Sequence, residues 1–61
     1  MLNDKDLENL TKATHDVNFL IQDIDALLKS NDQATTDIAI ELLEQARQIE
    51  QKLLILVNRN A

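Results

Sequence analysis

Residues 36–57 read TDIAIELLEQARQIEQKLLILV, and this stretch decides the fold. Its apolar positions Ala39, Leu42, Ala46, Ile49, Leu53 and Leu56 are spaced alternately three and four residues apart. That spacing places them on one face of an α-helix. Six more apolar residues stand off this line: Ile38, Ile40, Leu43, Leu54, Ile55 and Val57. One neighbouring helix covers a stripe of only about 100°. The second half of the chain therefore has more apolar surface than one neighbour can bury.

The first half carries a matching line. Leu7, Leu10, Val17, Ile21, Ile24 and Leu28 keep the same alternating spacing, with Thr14 in the one polar slot. Asn3 is a good N-cap. Leu2 and Leu7 flank it at the spacing of a hydrophobic staple. Asp4, Asp6 and Glu8 set negative charge near the positive end of the helix dipole. Glu8 with Lys12, and Asp25 with Lys29, are four residues apart in the favourable order.

The two lines are separated by Lys29-Ser30-Asn31-Asp32. Lys29 suits a helix C-terminus, Asn31 suits the left-handed residue that often follows one, and Asp32 caps what comes next, with Thr35 or Thr36 as competing caps. The predicted helices run over about 3–30 and about 33–58. So short a connection makes them antiparallel neighbours. Folding the chain on itself then sets Leu28 against Thr35, Ile24 against Ala39, Ile21 against Leu42 and Val17 against Ala46. Further from the turn, Thr14 faces Ile49, Leu10 faces Leu53 and Leu7 faces Leu56.

Composition agrees. The 61 residues contain no glycine, proline or cysteine. Tight β-turns need glycine, so the expectation is a single all-α domain spanning 1–61, a two-helix antiparallel hairpin. Without cysteine there is no disulfide, and one histidine does not make a structural zinc site. A domain this small without either normally depends on self-association. Ala13, Leu20 and Leu27 form a second apolar row on the first helix, and Leu20 and Leu27 share a side with Ile38 near the turn. The expected arrangement is a homodimeric four-helix bundle, with Leu20, Leu27, Ile38, Ile40, Leu43, Leu54 and Val57 as its interface.

The charge of −5 is spread over both halves without a basic tail. Phosphate contacts dominate nucleic-acid affinity, so general nucleic-acid binding is disfavoured. The opening MLNDKDLENL has no apolar core and does not read as a targeting segment. The longest apolar run, Leu53–Val57, is far short of the roughly 20 residues that span a bilayer. Its flanks carry only Lys52 and Arg59, so a membrane-surface anchor is not expected either. A cytoplasmic location is expected, with no membrane partner.

No catalytic or metal constellation emerges. His15 has no second histidine four residues on and no glutamate three residues before it. Glu41, Glu44 and Arg47 share a face with Gln45, Gln48 and Gln51, which reads as solvated; Glu50 lies beside the seam, between Leu43 and Val57. Ser30 has no histidine near it. No cofactor, no small-molecule substrate and no enzymatic activity are expected. Phe19, the sole aromatic residue, lies on the polar side of the first helix with Lys12, His15, Gln22 and Asp23. That face is the candidate recognition surface, since aromatic residues are enriched at binding hot spots. The expected function is that of a small regulator, inhibitor or adaptor. It would bind another protein by a helix face as a homodimer.

A hairpin with alanine layers at Ala39 and Ala46 set against large residues resembles Rop, the family of plasmid copy-number proteins. Its members are dimeric four-helix bundles that bind paired RNA loops. The resemblance covers the whole chain in topology and implies RNA as the alternative partner. Phe19 would stand for the family's outward phenylalanine, and Lys12, Gln22 and Lys29 are loosely comparable to its polar neighbours. Asp23 departs from the pattern: it stands one turn after Phe19, where a family member carries a neutral polar group, and it would repel phosphate.

Overall fold

A computed structural model describes residues 2–59. They form two helices, α1 (Asp4–Leu27) and α2 (Gln33–Arg59), packed as an antiparallel hairpin about 45 Å long. No strand occurs among the described residues.

α1 begins where the local chemistry says it should. Asn3 is extended, and its side-chain oxygen accepts from the Asp6 amide at 2.8 Å, satisfying one of the amides a helix start leaves without a partner. Asp4 and Asp6 lie in that first turn, against the positive end of the dipole. α1 ends at Leu27, short of the expected end near residue 30. The chain tightens there instead. The amides of Leu28, Lys29 and Ser30 bond back to the carbonyls of Asp25, Ala26 and Leu27, each three residues earlier. Lys29 thus falls beyond the last helical turn, and no ion pair joins it to Asp25. Glu8 and Lys12, well inside α1, do pair, at 3.6 Å.

The turn is made differently from the sequence expectation. Among the described residues none has a positive φ, so Asn31 does not take the left-handed conformation. The turn is held by Ser30 and Asp32. The Ser30 hydroxyl accepts from the Asp32 amide at 3.0 Å. One Asp32 carboxylate oxygen takes the Thr35 amide at 3.1 Å and the Thr35 hydroxyl at 2.6 Å. Asp32 is therefore the cap of α2, while Thr35 is the residue it caps. Thr36 adds a bond from its hydroxyl to the Ser30 carbonyl. These side-chain bonds satisfy the Asp32 and Thr35 amides and supply the reversal that a left-handed residue would otherwise make.

The core is a narrow line between the helices: Val17, Ile21 and Ile24 of α1 against Ala39 and Ala46 of α2. Leu28, Leu43 and Leu53 pack against it. Leu10 is buried further along. The α1 side is as expected from Leu10 to Leu28, but Leu7, expected to meet Leu56, is exposed. The α2 side is not as expected. Leu42 and Ile49, expected to meet Ile21 and Thr14, are 40% and 50% exposed. Leu43, expected to lie off the seam, is half-buried against the core, and Glu50 is half-buried one line further on.

The pair of alanines marks the line along which the helices come closest. Ala39 and Ala46 are 1% and 2% exposed, the two most buried residues of the core. A methyl side chain lets the α1 residues come close to the α2 backbone, so the alanines lie on the line of closest approach. At about 100° per residue, Glu50 and Leu53 lie about 30° to either side of the mean direction of the two alanines, and Leu43 and Leu42 about 50° to either side. The structure turns the Leu43 and Glu50 side inward, and Leu42 and Ile49 tip outward. The seam of α2 is thus Ala39, Leu43, Ala46, Glu50 and Leu53, turned from the expected set by part of a helical step.

Two measurements check this. Ala46→Leu forces a large side chain into the closest approach and is expected to destabilise the fold by about 1–3 kcal/mol in urea melts. Asp32 tests the cap. The Thr35 hydroxyl, and then the Thr35 amide, hold its carboxyl below the usual carboxylate range. A carboxyl lowered on folding stabilises the folded state above its unfolded pKa, and that contribution is lost as pH falls through the folded value. The stability advantage of wild type over Asp32→Asn is expected to shrink from about pH 5 to about pH 2. An advantage that stays constant over that range would exclude a charged cap.

Candidate functional site

The rotation of α2 sorts the outward residues into three faces. The first is apolar. Leu20 and Leu27 of α1, and Ile38, Leu42, Ile49 and Leu56 of α2, are all exposed. On helical geometry Leu20 and Leu27 lie about 60–80° to one side of the α1 seam, and the four α2 residues lie about 60–100° to one side of theirs. Because the helices run in opposite directions, those two sides are the same side of the hairpin. Half-buried Ala13 lies at its inner edge, between Leu20 and the open end. The result is one apolar strip running nearly the length of the molecule.

The residues expected to form one interface are divided by this geometry. Leu20, Leu27 and Ile38 share the apolar strip. Leu43 belongs to the intramolecular seam, packed against the core. Ile40 and Leu54 are exposed on the opposite flank, and Val57 lies in line with the alanines at the open end. Leu42, Ile49 and Leu56 take their place on the strip. The signal for them was present in the sequence as a line spaced by sevens through Leu42, Ile49 and Leu56. It was absorbed into the expected seam, because Leu42 and Leu43 lie equally far from the alanines on helical geometry and the Leu42 line is the wholly apolar one.

The second face is the outer side of α1. Lys12, His15, Phe19 and Gln22 are all exposed there, as is Asp23 at its edge. Phe19 is 61% exposed, the most exposed of the large apolar residues described. Lys12 is engaged with Glu8, although both side chains remain well solvated, and such pairs contribute little to stability. The third face is the outer side of α2, with Glu41, Glu44, Gln48 and Gln51 all exposed.

Among the described residues, no group of three or more His, Cys, Asp or Glu side chains is arranged to hold a metal ion. No helix is long and apolar enough to cross a membrane. No protein-family model, curated protein or solved structure matches the chain.

Thr14 is the one polar residue on the α1 seam, and its hydroxyl donates to the Leu10 carbonyl at 2.8 Å. That carbonyl is already the acceptor for the helix, so the bond accommodates the hydroxyl without tying Thr14 to α2. Thr14→Val keeps the shape and removes a half-buried polar group. It is expected to raise the melting temperature by a few degrees, about 0.5 kcal/mol. A fall of several degrees would show a partner for the hydroxyl outside the hairpin.

Proposed function

We propose that the chain is a non-enzymatic interaction protein. It pairs with a second copy of itself into a four-helix bundle, and it binds another protein through an outward helix face. The observation that carries this reading is the apolar strip. The hairpin buries only one line of residues between its helices, while six large apolar side chains share one exposed side. Contiguous exposed apolar patches of this kind mark interfaces. A side about 45 Å long and about 15 Å wide offers roughly 700 Å2 per copy, close to the ~800 Å2 per partner of a standard interface. A second copy supplies a strip of matching length and character, and the two-fold arrangement is self-complementary.

The outer face of α1 then points away from the bundle. Phe19, with its polar neighbours Lys12, His15 and Gln22, is the anchor for the further partner. A second reading rests on the same exposed Phe19: an unpaired base stacks on an aromatic ring, so RNA is the alternative ligand of this face. The acid at Asp23 and the engagement of Lys12 by Glu8 favour protein over phosphate.

Sedimentation equilibrium separates the faces. Wild type is expected to be a dimer at micromolar concentration. Leu20→Glu is expected to give a largely unfolded monomer, whereas Ile40→Glu, on the opposite flank, keeps the dimer. Phe19→Ala is expected to leave stability within about 0.5 kcal/mol and to abolish retention of the protein that wild type retains. Binding to stem-loop RNA that weakens steeply with salt and vanishes in Phe19→Ala would favour the second reading. A folded wild-type monomer would overturn the homodimer.

A further inference from the structure

Counted along the sequence, the negative charge is spread over both halves of the chain. Folding segregates it. The hairpin reverses about Ser30, so residues 16–44 make its turn half and the rest its open half. The turn half holds seven acids, from Asp16 to Glu44, against one base, Lys29. The open half holds four acids and five bases. All seven acids of the turn half are exposed. Among the described residues the one ion pair, Glu8 with Lys12, lies in the open half. The turn half therefore keeps a negative field that its own side chains do not neutralise, and such a field draws cationic partners.

Phe19 stands in this half, exposed on the outer face of α1. At about 100° per residue, Asp23 and Asp16 lie about 40° and about 60° to one side of it. Asp16 is one turn before Phe19 and Asp23 one turn after, which sets the Cβ of each about 5–6 Å from that of Phe19. From Asp16 to the end of α1 at Leu27 there is no lysine or arginine. Among the described residues neither carboxylate is in an ion pair.

A solvated ring with two carboxylates beside it suits one side chain above others. A guanidinium stacks on an aromatic face, and its planar fork binds a carboxylate through two parallel hydrogen bonds. An ammonium supplies the charge without the plane. Phosphate is repelled by the same two acids.

We propose that the outer face of α1 from Asp16 to Ala26 docks an arginine-bearing basic segment of the protein partner, with one guanidinium seated on Phe19 and held by Asp16 and Asp23. This rests on the reading above that this face binds a protein. The acidic turn half supplies the long-range attraction, and Phe19 with its two carboxylate neighbours fixes where the segment settles.

The probe is a labelled helical peptide of Ala, Leu and Arg, about 15 residues long, titrated into the full chain beside the same peptide with Lys for Arg. The Arg peptide is expected to bind and to shift backbone amide resonances over residues 16–26. The Lys peptide is expected to bind about two- to fivefold more weakly. The variants change exposed residues and keep the fold, which circular dichroism verifies. Phe19→Leu keeps an apolar side chain without the π face, and is expected to remove the preference for Arg over Lys. Asp23→Asn is expected to weaken the Arg peptide about two- to fivefold. Asp37→Asn removes the same charge from the same half on the outer side of α2, and leaves the affinity within about twofold. Equal affinity for the two peptides, equal losses in Asp23→Asn and Asp37→Asn, or no binding at millimolar peptide overturns the arginine seat. The protein-binding reading then stands or falls separately, by whether wild type retains a protein that Phe19→Ala loses. Stem-loop RNA bound in place of the peptide overturns both.

Discussion

The approach of α1 to the backbone of α2 at Ala39 and Ala46 is the constraint on which the rest of this molecule depends. Val17, Ile21 and Ile24 supply the bulk, and the two methyl groups supply the room. Dispersion falls off within a fraction of an ångström, so large residues gain most against the smallest facing surface. The alanines define the line of contact, and the rotation of α2 about that line places the other side chains. Leu43 and Leu53 become the shoulders of the seam, and Leu42 and Ile49 become surface.

A seam that narrow has a consequence for the whole fold. Two helices bury one stripe each, and the shared core has no third layer. Six of the remaining large apolar residues fall on one side, while Ile40 and Leu54 lie on the opposite flank. Close packing at alanine joins the helices, and the rotation of α2 turns a second apolar line outward.

The turn shows local chemistry replacing a residue type the chain lacks. With no glycine, and no left-handed residue among those described, the reversal is made by side chains. Ser30 receives the Asp32 amide, and Asp32 receives both the amide and the hydroxyl of Thr35. Each bond replaces water on a backbone or side-chain group that a helix end would otherwise leave without a partner. The short connection that results is what holds the two seams at the same height.

The sequence by itself determined two helices, the Asn3 cap, the antiparallel connection, and the α1 seam from Leu10 to Leu28; among Asp32, Thr35 and Thr36 the structure chose Asp32 as the second cap. Each of these depends on local spacing or on bonds between residues a few positions apart. The exposure of Phe19, Lys12, His15 and Gln22 was legible for the same reason: a residue far from a well-marked seam is on the surface whichever way the partner helix turns. The rotation of α2 was not legible. Its apolar residues surround more than half the helix, so a line through Leu42 and Ile49 and a line through Leu43 and Glu50 both satisfy helical spacing. The first contains only apolar residues, and pattern alone prefers it. Only the tertiary structure decides, because the choice is made by how closely α1 can approach, and that depends on side-chain volume across the interface. The surplus noticed at once in residues 36–57 is real, but which residues compose it was settled by the rotation of α2 against α1.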